Sequence, residues 1–437
     1  MGVSEPHSGA GGVSGGRAPG WTAAAVLMAM LASTTALSQF FRSSTAVIAP
    51  ELIRDLDLSS AALGFANGSF FMAVLLGQIP VGLAFDRFGV RRTVATLSLP
   101  MAIGAMLHGL ANTGNELTAA RFLVGVGSAA SYTAGVVMIG RWFSRPAWST
   151  LISWQFALGQ IGLVLAGTPL AAAVGIVGWR FPFVVMGVVA LLVGYLFLSF
   201  VRDDPPGAAP QARDAASEVG ALQGLVQVLT TPGTLQVLAL YMVTFASMTT
   251  VLVVWAGPYL HDVHHLATIE RGNVIIGMAL AQTAGVLAVG PLDRLFNTRK
   301  WVSVGSGSLA LAAMIGLALG PASLSLAVAL LLLLSATTSY GGVLFAQMRS
   351  LFPPNLAGRS ATITNMAPLL GASVLPPLTG LIPPLFQDEG AGYSPLAYQA
   401  IFAVLACCLG TGLAIYLTVR DSKPRPSPSP NSPVGAA

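Results

Sequence analysis

The residue whose chemistry most needs explaining is Arg42, a cation inside a long apolar stretch. It ends the segment Thr35-Ala-Leu-Ser38-Gln39-Phe-Phe-Arg42. A charge in the hydrocarbon of a bilayer costs roughly 2.5–3.5 kcal/mol on insertion scales, so such a residue faces a wet cavity or holds something negative. Thr35, Ser38, Gln39 and Arg42 follow i, i+3, i+4, i+7 spacing and therefore share one face of a helix. The spacing predicts a polar stripe that carries a guanidinium able to bind an anion.

The composition around this stripe is that of a membrane protein. Of the 437 residues, 54% are hydrophobic and only 8% are charged, whereas soluble domains carry about 25% charged residues. The apolar runs are about 20 residues long, which fits membrane-spanning helices, since barrel strands are about half that length. Twelve spans are predicted, at 22–50, 61–85, 93–112, 117–140, 148–173, 181–201, 234–257, 273–290, 302–320, 323–346, 360–386 and 396–419. The predicted fold class is therefore an all-α polytopic membrane protein with twelve transmembrane helices.

The basic residues divide unequally between the two sides of the predicted membrane. With the amino terminus inside, only Arg54, Arg180 and Arg271 fall outside, and Arg42 and Arg121 fall within the membrane. The other Lys and Arg residues are all cytoplasmic, as the positive-inside rule requires. We therefore expect both termini on the cytoplasmic side of a bacterial inner membrane.

A polar stretch in the middle of the chain separates two halves. The predicted organisation is a disordered cytoplasmic tail, a six-helix half, a cytoplasmic linker, a second six-helix half and another disordered tail, at 1–20, 21–201, 202–232, 233–420 and 421–437. The loop Gly82–Arg92 after the second span has a weaker copy, Gly290–Lys300, after the eighth. Each contains an acid, an Arg and then a basic pair. Duplicated halves with a site between them are typical of secondary transporters.

The loop Gly82-Leu-Ala-Phe-Asp86-Arg87-Phe-Gly89-Val-Arg91-Arg92 resembles the signature loop of the major facilitator superfamily. The resemblance covers the chain from Trp21 to about Arg420, and it implies two six-helix halves that rock about a central site. It also implies that this loop clasps the cytoplasmic side shut in the outward-open state, near the start of the eleventh span. The gating residues would be Gly82, Asp86, Arg87, Gly89, Arg91 and Arg92, with Asp293 and Arg294 in the second copy. Gly82 is expected to let two helices approach closely.

Two further features resemble motifs within this superfamily. Arg121, followed by Gly125 and Gly127, is similar to a fourth-span motif whose Arg is linked to proton coupling or substrate binding. Arg42 stands where organophosphate antiporters and anion–cation symporters carry the Arg that binds the substrate. Ser128 replaces the acid that those symporters have seven residues after the fourth-span Arg. The fifth span lacks the glycine pair that marks drug–proton antiporters.

None of the 16 acids is predicted at mid-membrane, so the core carries fixed positive charge only. This favours an anionic substrate, because carriers of organic cations need a buried acid. Glu51 and Glu116, at the outer mouth, are the acids that could carry a proton. Arg42 could instead snorkel outward, Arg121 could bond carbonyl groups, and buried amides could merely bridge helices. The predicted substrate-binding residues are Arg42, Gln39, Ser38, Arg121, Tyr132, Gln155 and Asn365.

Signatures of other protein classes are missing from the sequence. It has no nucleotide-binding loop or nucleophile elbow, which argues against an ATP-driven pump and an enzyme. No metal, cofactor or nucleic-acid partner is predicted, and His261, His264 and His265 are interpreted as a solvated loop. The prediction is a monomeric secondary transporter of a small organic anion of the carboxylate type, coupled to protons. Two alternatives remain: a drug or neutral-metabolite exporter of the same superfamily, and a non-transporting membrane sensor or assembly protein.

Overall fold

The computed structural model describes residues 21–144, 147–205, 227–352, 357–386 and 392–424. Most of the predicted linker and nearly all of both predicted tails lie outside these ranges. The described residues form helices and contain no strand, which confirms the predicted fold class.

Within the described ranges, twelve helices are long and apolar enough to cross a membrane. Each coincides with a predicted span, although the first, seventh and eighth extend about one turn further than predicted because polar residues continue the helices past the apolar runs. Their bounds are Thr22–Leu56, Ser60–Phe88, Val90–Leu110, Gly114–Trp142, Thr150–Val177, Arg180–Phe200, Thr234–Asp262, Thr268–Leu295, Lys300–Ala318, Leu324–Ser350, Ser360–Leu385 and Pro395–Leu417.

Several spans are interrupted near mid-depth. The fourth divides into Gly114–Ser128 and Ser131–Trp142, and the fifth is broken on both sides of the short helix Ile161–Leu165. The seventh contains a π-helical turn at Val251–Trp255. Such irregular backbone at membrane depth is tolerated where it is buried in protein or lines a cavity.

The two halves pack tightly at the end that the predicted orientation places outside, which we call the outer end. A Cβ atom on Gly64 would lie 2.4 Å from the Pro376 carbonyl oxygen, and one on Gly257 would lie 1.7 Å from the Ala46 carbonyl oxygen. Only glycine permits this approach between the second and eleventh spans and between the first and seventh. Ser60 Oγ also donates to the Gly380 carbonyl at 2.8 Å.

The opposite, inner end is open around the second span. A Cβ atom on Gly82 would meet no atom of the described residues within 4 Å, and the side chains of Asp86 and Arg87 are exposed. The expected close helix contact at Gly82 stays a prediction for the state in which the inner end is closed. The protein is in an outer-closed conformation.

Candidate functional site between the two halves

Arg42 lies two-thirds of the way along the first span and is half-buried. Its Nε atom is buried and has no hydrogen-bond partner. No ion pair joins Arg42 to another described residue. The guanidinium is thus a membrane-embedded cation whose counter-charge the described part of the chain does not supply, as an anion-binding role requires.

The rest of the polar stripe packs within the first half. Gln39 Nε2 donates to Gln160 Oε1, and Gln155 Nε2 donates to Thr35 Oγ1 at 3.1 Å. These bonds tie the first span to the fifth, so Gln39 and Gln155 act at least as helix bridges. Gln155 Oε1 and Gln160 Nε2 remain buried without partners. Ser38 is half-buried on the same stripe.

Arg121 holds three spans together. Its Nε donates to the Ala66 carbonyl at 3.1 Å, and its Nη1 donates to the Phe41 carbonyl at 3.2 Å and to Thr45 Oγ1. Only 2% of its surface is exposed. One atom, Nη2, is buried without a partner. Two of its three hydrogen bonds therefore go to backbone carbonyl groups, which is the carbonyl-bonded alternative that the sequence left open.

Two further candidates have exposed side chains. Tyr132 is 42% exposed, just after the break in the fourth span, and Asn365 is exposed on the eleventh span. Sequence reasoning did not single out Tyr241 of the seventh span, which is half-buried and whose ring packs against Gly341 of the tenth span. No sequence signal separates Tyr241 from an aromatic residue that faces lipid.

The signature loop is held by its own half. Arg91 donates from Nε to the Leu198 carbonyl at 2.6 Å and from its backbone nitrogen to Asp203 Oδ1 at 2.9 Å. Gly89, with φ of 84°, packs against the same carboxylate, which a Cβ atom would approach to 2.3 Å. Arg87 lies over the Phe88 ring, and Arg92 is exposed. Side chains at 357–359 are outside the description, so the clasp with the eleventh span stays a prediction.

The second copy of the loop contains an internal ion pair. The Asp293 carboxylate is buried and lies 3.5 Å from Arg299 Nε, while Arg294 is exposed. Asp421, after the twelfth span, accepts hydrogen bonds from the backbone nitrogens of Arg299 and Lys300 at 3.2 and 3.0 Å. Each of the two loops is therefore capped by a carboxylate from the end of its own half.

The outer acids have different surroundings. Glu51 Oε1 lies 2.7 Å from Arg271 Nη2 across the interface between the halves. Glu116 instead accepts a hydrogen bond from the backbone nitrogen of Asn112 at 2.8 Å, within its own loop. Sequence reasoning placed Arg271 in the outer group of basic residues but could not pair it with Glu51, because 220 residues separate them.

The histidines at the outer end contact different partners. His261 Nδ1 lies 2.7 Å from Asp262 Oδ1, while the other Asp262 oxygen accepts from the Tyr398 hydroxyl at 2.6 Å. His264 Nε2 lies 3.1 Å from the Tyr259 hydroxyl, and burial, followed by the neighbouring charge of His265, lowers the pKa of His264 below its usual value. Among the described residues, no group of three or more potential ligands is arranged to hold a metal ion.

Twelve spans in two halves around a cationic mid-membrane site define a multi-pass membrane transporter. The chain belongs to the Major Facilitator Superfamily, whose sequence profile matches residues 31–376. This membership confirms the family resemblance, the transporter class and the expectation that the chain is not an enzyme.

Individual relatives and structures are similar over most of the chain. A protein of Agrobacterium vitis, whose name assigns it to tartrate transport, is 26% identical over 358 residues, which cover 75% of this chain and 77% of that protein. A D-galactonate transporter of Escherichia coli O6:H1 is 21% identical, covering 91% and 95% of the two chains. Among solved structures, a bacterial homologue of the human lysosomal transporter Spinster gives a TM-score of 0.73 at 18% identity and covers 91% of this chain and 97% of that one.

Proposed function

We propose that this protein moves a small organic anion of the carboxylate type across a bacterial inner membrane by alternating access, with both termini cytoplasmic. The substrate lies between the halves, and its carboxylate binds the Arg42 guanidinium. Transport is coupled to protons.

The observation that carries the proposal is the state of Arg42. It is a half-buried cation at membrane depth with an unpartnered Nε, and no described acid pairs with it. A planar guanidinium binds a carboxylate through two parallel hydrogen bonds, which an ammonium group cannot match. A substrate carboxylate would therefore supply both the missing charge and the missing acceptor.

Arg121 has a supporting role in this proposal. Because three of its hydrogen bonds fix the first and second spans to the fourth, it positions the first span, and Arg42 with it. Only its Nη2 remains to reach a ligand. Tyr132 and Asn365, whose side chains are exposed, are proposed to contact the hydroxyl groups of the substrate.

The relatives narrow the substrate class. Tartrate and galactonate, the compounds in the names of two relatives, both carry a carboxylate next to a hydroxyl-bearing carbon. We infer that a hydroxycarboxylate is the substrate class to test first. The acid that anion–cation symporters carry after the fourth-span Arg is Ser128 here, so any proton must be carried by another group.

The experiment is uptake into proteoliposomes containing the full-length protein. Radiolabelled tartrate and galactonate are tested against neutral polyols of similar size, with wild type, Arg42→Lys and Arg42→Ala. Arg420→Ala, which removes an exposed cation at the inner end, is the matched control. Carboxylate uptake that falls at least tenfold in both Arg42 variants and persists in the control supports the proposal. Uptake of the neutral compounds with all variants equally active would contradict it and favour a neutral-metabolite exporter.

A further inference from the structure

The fixed charges at mid-depth in the described spans are all positive. They belong to Arg42 in the first span and Arg121 in the fourth. Every described acid lies near an end of a span or in a loop, as Glu51 does at the outer end and Asp86 at the inner end. A substrate that binds at mid-depth therefore meets cations and no carboxylate of the described residues.

The two arginines are not equally available to that substrate. Arg121 is 2% exposed, three of its hydrogen bonds go to neighbouring spans, and its remaining nitrogen, Nη2, is buried. Arg42 is half-buried, its Nε has no hydrogen-bond partner, and no ion pair joins it to another described residue. One guanidinium is thus left for a ligand, so the site offers one positive charge at hydrogen-bonding distance.

The other candidate ligand groups of the site are uncharged. Ser38 and Gln39 precede Arg42 by about one helical turn on the same stripe, and the Gln39 amide already donates to Gln160. Tyr132 and Asn365 contribute a hydroxyl and an amide. Such groups can bind hydroxyl groups or a neutral carboxyl group, but they cannot compensate a second negative charge.

Closure of the halves around a substrate decides which charge state can cross. While the inner end is open, a second carboxylate on the substrate can stay hydrated. Once that water is excluded, an ion without a partner is costly at this depth, and a carboxylate avoids the cost by taking up a proton. The single available guanidinium therefore selects for substrates that carry a single charge.

The titratable groups of the described spans offer no equivalent proton carrier. Glu51 is paired with Arg271, and Glu116 accepts a hydrogen bond from a backbone nitrogen of its own loop. Tyrosine hydroxyls titrate at about pH 10. His108, near the outer end of the third span, is 1% exposed and stacks on the Phe183 ring at 3.9 Å between centroids. It is the protein group that an experiment has to distinguish from the substrate.

We propose that the site moves the singly charged form of its substrate, so that a dicarboxylate crosses with one carboxylate on Arg42 and its other end as a neutral carboxyl group. The dianion takes up one proton from the solution on the side where it binds. It releases the same proton into the solution on the other side after it dissociates. The coupled proton thus belongs to the substrate, and a monocarboxylate crosses without one. This proposal rests on the role of Arg42 in the proposed function and adds the charge state of the substrate and the carrier of the proton.

The test compares galactonate with galactarate in proteoliposomes that contain the full-length protein. Both have the same chain of hydroxyl-bearing carbons, and they differ at one end, which is an alcohol in galactonate and a second carboxyl group in galactarate. Initial uptake below saturation is measured at external pH 7.5 and 5.5 with the internal pH fixed. In a second, weakly buffered preparation, an entrapped pH-sensitive dye counts the protons that enter with each compound. The variants are Arg42→Ala and, as control, Arg420→Ala.

We expect the ratio of galactarate uptake to galactonate uptake to rise about a hundredfold from pH 7.5 to pH 5.5. Carboxyl groups titrate near pH 4, so each pH unit in this range changes the share of the singly charged form about tenfold. Effects of pH on the protein cancel in the ratio, since both compounds use the same site. About one proton should enter with each galactarate and none with galactonate. Arg42→Ala should lose both activities, and Arg420→Ala should keep them.

A ratio that does not change with pH would overturn the proposal, because galactarate would then cross as the dianion. Entry of one proton with each of the two compounds would also overturn it and would assign the proton to a protein group such as His108. Both outcomes leave Arg42 as the carboxylate site. Uptake of both compounds that persists in Arg42→Ala would instead contradict the proposed function.

Discussion

Asp203 and Asp421 occupy equivalent positions in the two halves. Asp203 follows the sixth span and accepts a hydrogen bond from the backbone nitrogen of Arg91. Asp421 follows the twelfth span and accepts from those of Arg299 and Lys300. Each carboxylate caps the first turn of the third span of its half and fixes the preceding loop to the end of that half. The sequence shows the duplication as two related loops. In the structure it extends to Asp203 and Asp421, the carboxylates that hold these loops in place.

Removing the first cap should loosen the signature loop. Asp203→Ala deprives the amino-terminal turn at Arg91 of its acceptor, a change that costs about 1 kcal/mol for a helix cap. We expect a lower apparent Tm and faster hydrogen exchange across 86–93. Asp421→Ala should accelerate exchange at 298–301 instead. Equal acceleration at both loops in either variant would show that the caps do not act locally.

Gly64 and Gly82 should respond oppositely to the same substitution. Gly64→Ala places a methyl group 2.4 Å from the Pro376 carbonyl oxygen, so it should disfavour the outer-closed conformation. Spin labels attached at Asn112→Cys and Ala322→Cys, on exposed outer loops of the two halves, should then lie further apart. The methyl group of Gly82→Ala meets no atom of the described residues within 4 Å, and replacing a helical glycine by alanine stabilises the folded protein by about 0.5–1 kcal/mol. A Gly64→Ala variant with unchanged outer distances would show that this glycine contact does not limit closure.

Gly82→Ala also tests the predicted clasp. If the second span closes on the other half when the inner end shuts, the methyl group should slow transport while leaving the apparent Tm of the outer-closed form unchanged or higher. The measurements are the uptake rate and the apparent Tm of Gly82→Ala and wild type, made on the same preparations. Full uptake would mean that no close contact forms at Gly82 in either conformation.

Substitutions of the two membrane-embedded arginines should affect different properties, Arg121 the stability of the protein and Arg42 the binding of carboxylates. Arg121→Lys cannot reproduce three hydrogen bonds to two carbonyl groups and a hydroxyl, so it should destabilise the protein by about 2 kcal/mol. Its folded fraction should still prefer carboxylates. Arg42→Lys should retain the wild-type Tm and lose carboxylate binding. Thermal unfolding with and without tartrate distinguishes the two, and the reverse pattern would make Arg121 the anion site.

The architecture could be predicted from the sequence because the length of each apolar run and the charge of each loop are local features of the chain. All twelve spans follow from them, and so does the unusual position of Arg42. The partners of the polar residues were not predictable. Gln39 with Gln160, Arg121 with Thr45, and Glu51 with Arg271 are contacts between spans whose rotation and depth depend on packing. Gly82 is a separate case, because its predicted contact belongs to the state that is closed at the inner end, whereas the described residues show the outer-closed conformation.

The central claim is that Arg42 binds the carboxylate of the substrate, and ligand-dependent stabilisation of the purified protein tests it most directly. A ligand that binds only the folded state stabilises it by RT ln(1 + [L]/Kd), which is about 2.7 kcal/mol at 100 times Kd. A panel of hydroxycarboxylates, matched neutral polyols and organic cations is screened by thermal shift on wild type, Arg42→Ala and the Arg420→Ala control. The account predicts stabilisation by carboxylates in wild type and control and none in Arg42→Ala. Stabilisation by neutral or cationic compounds alone, equal in all three proteins, would contradict it and make Arg42 a structural residue.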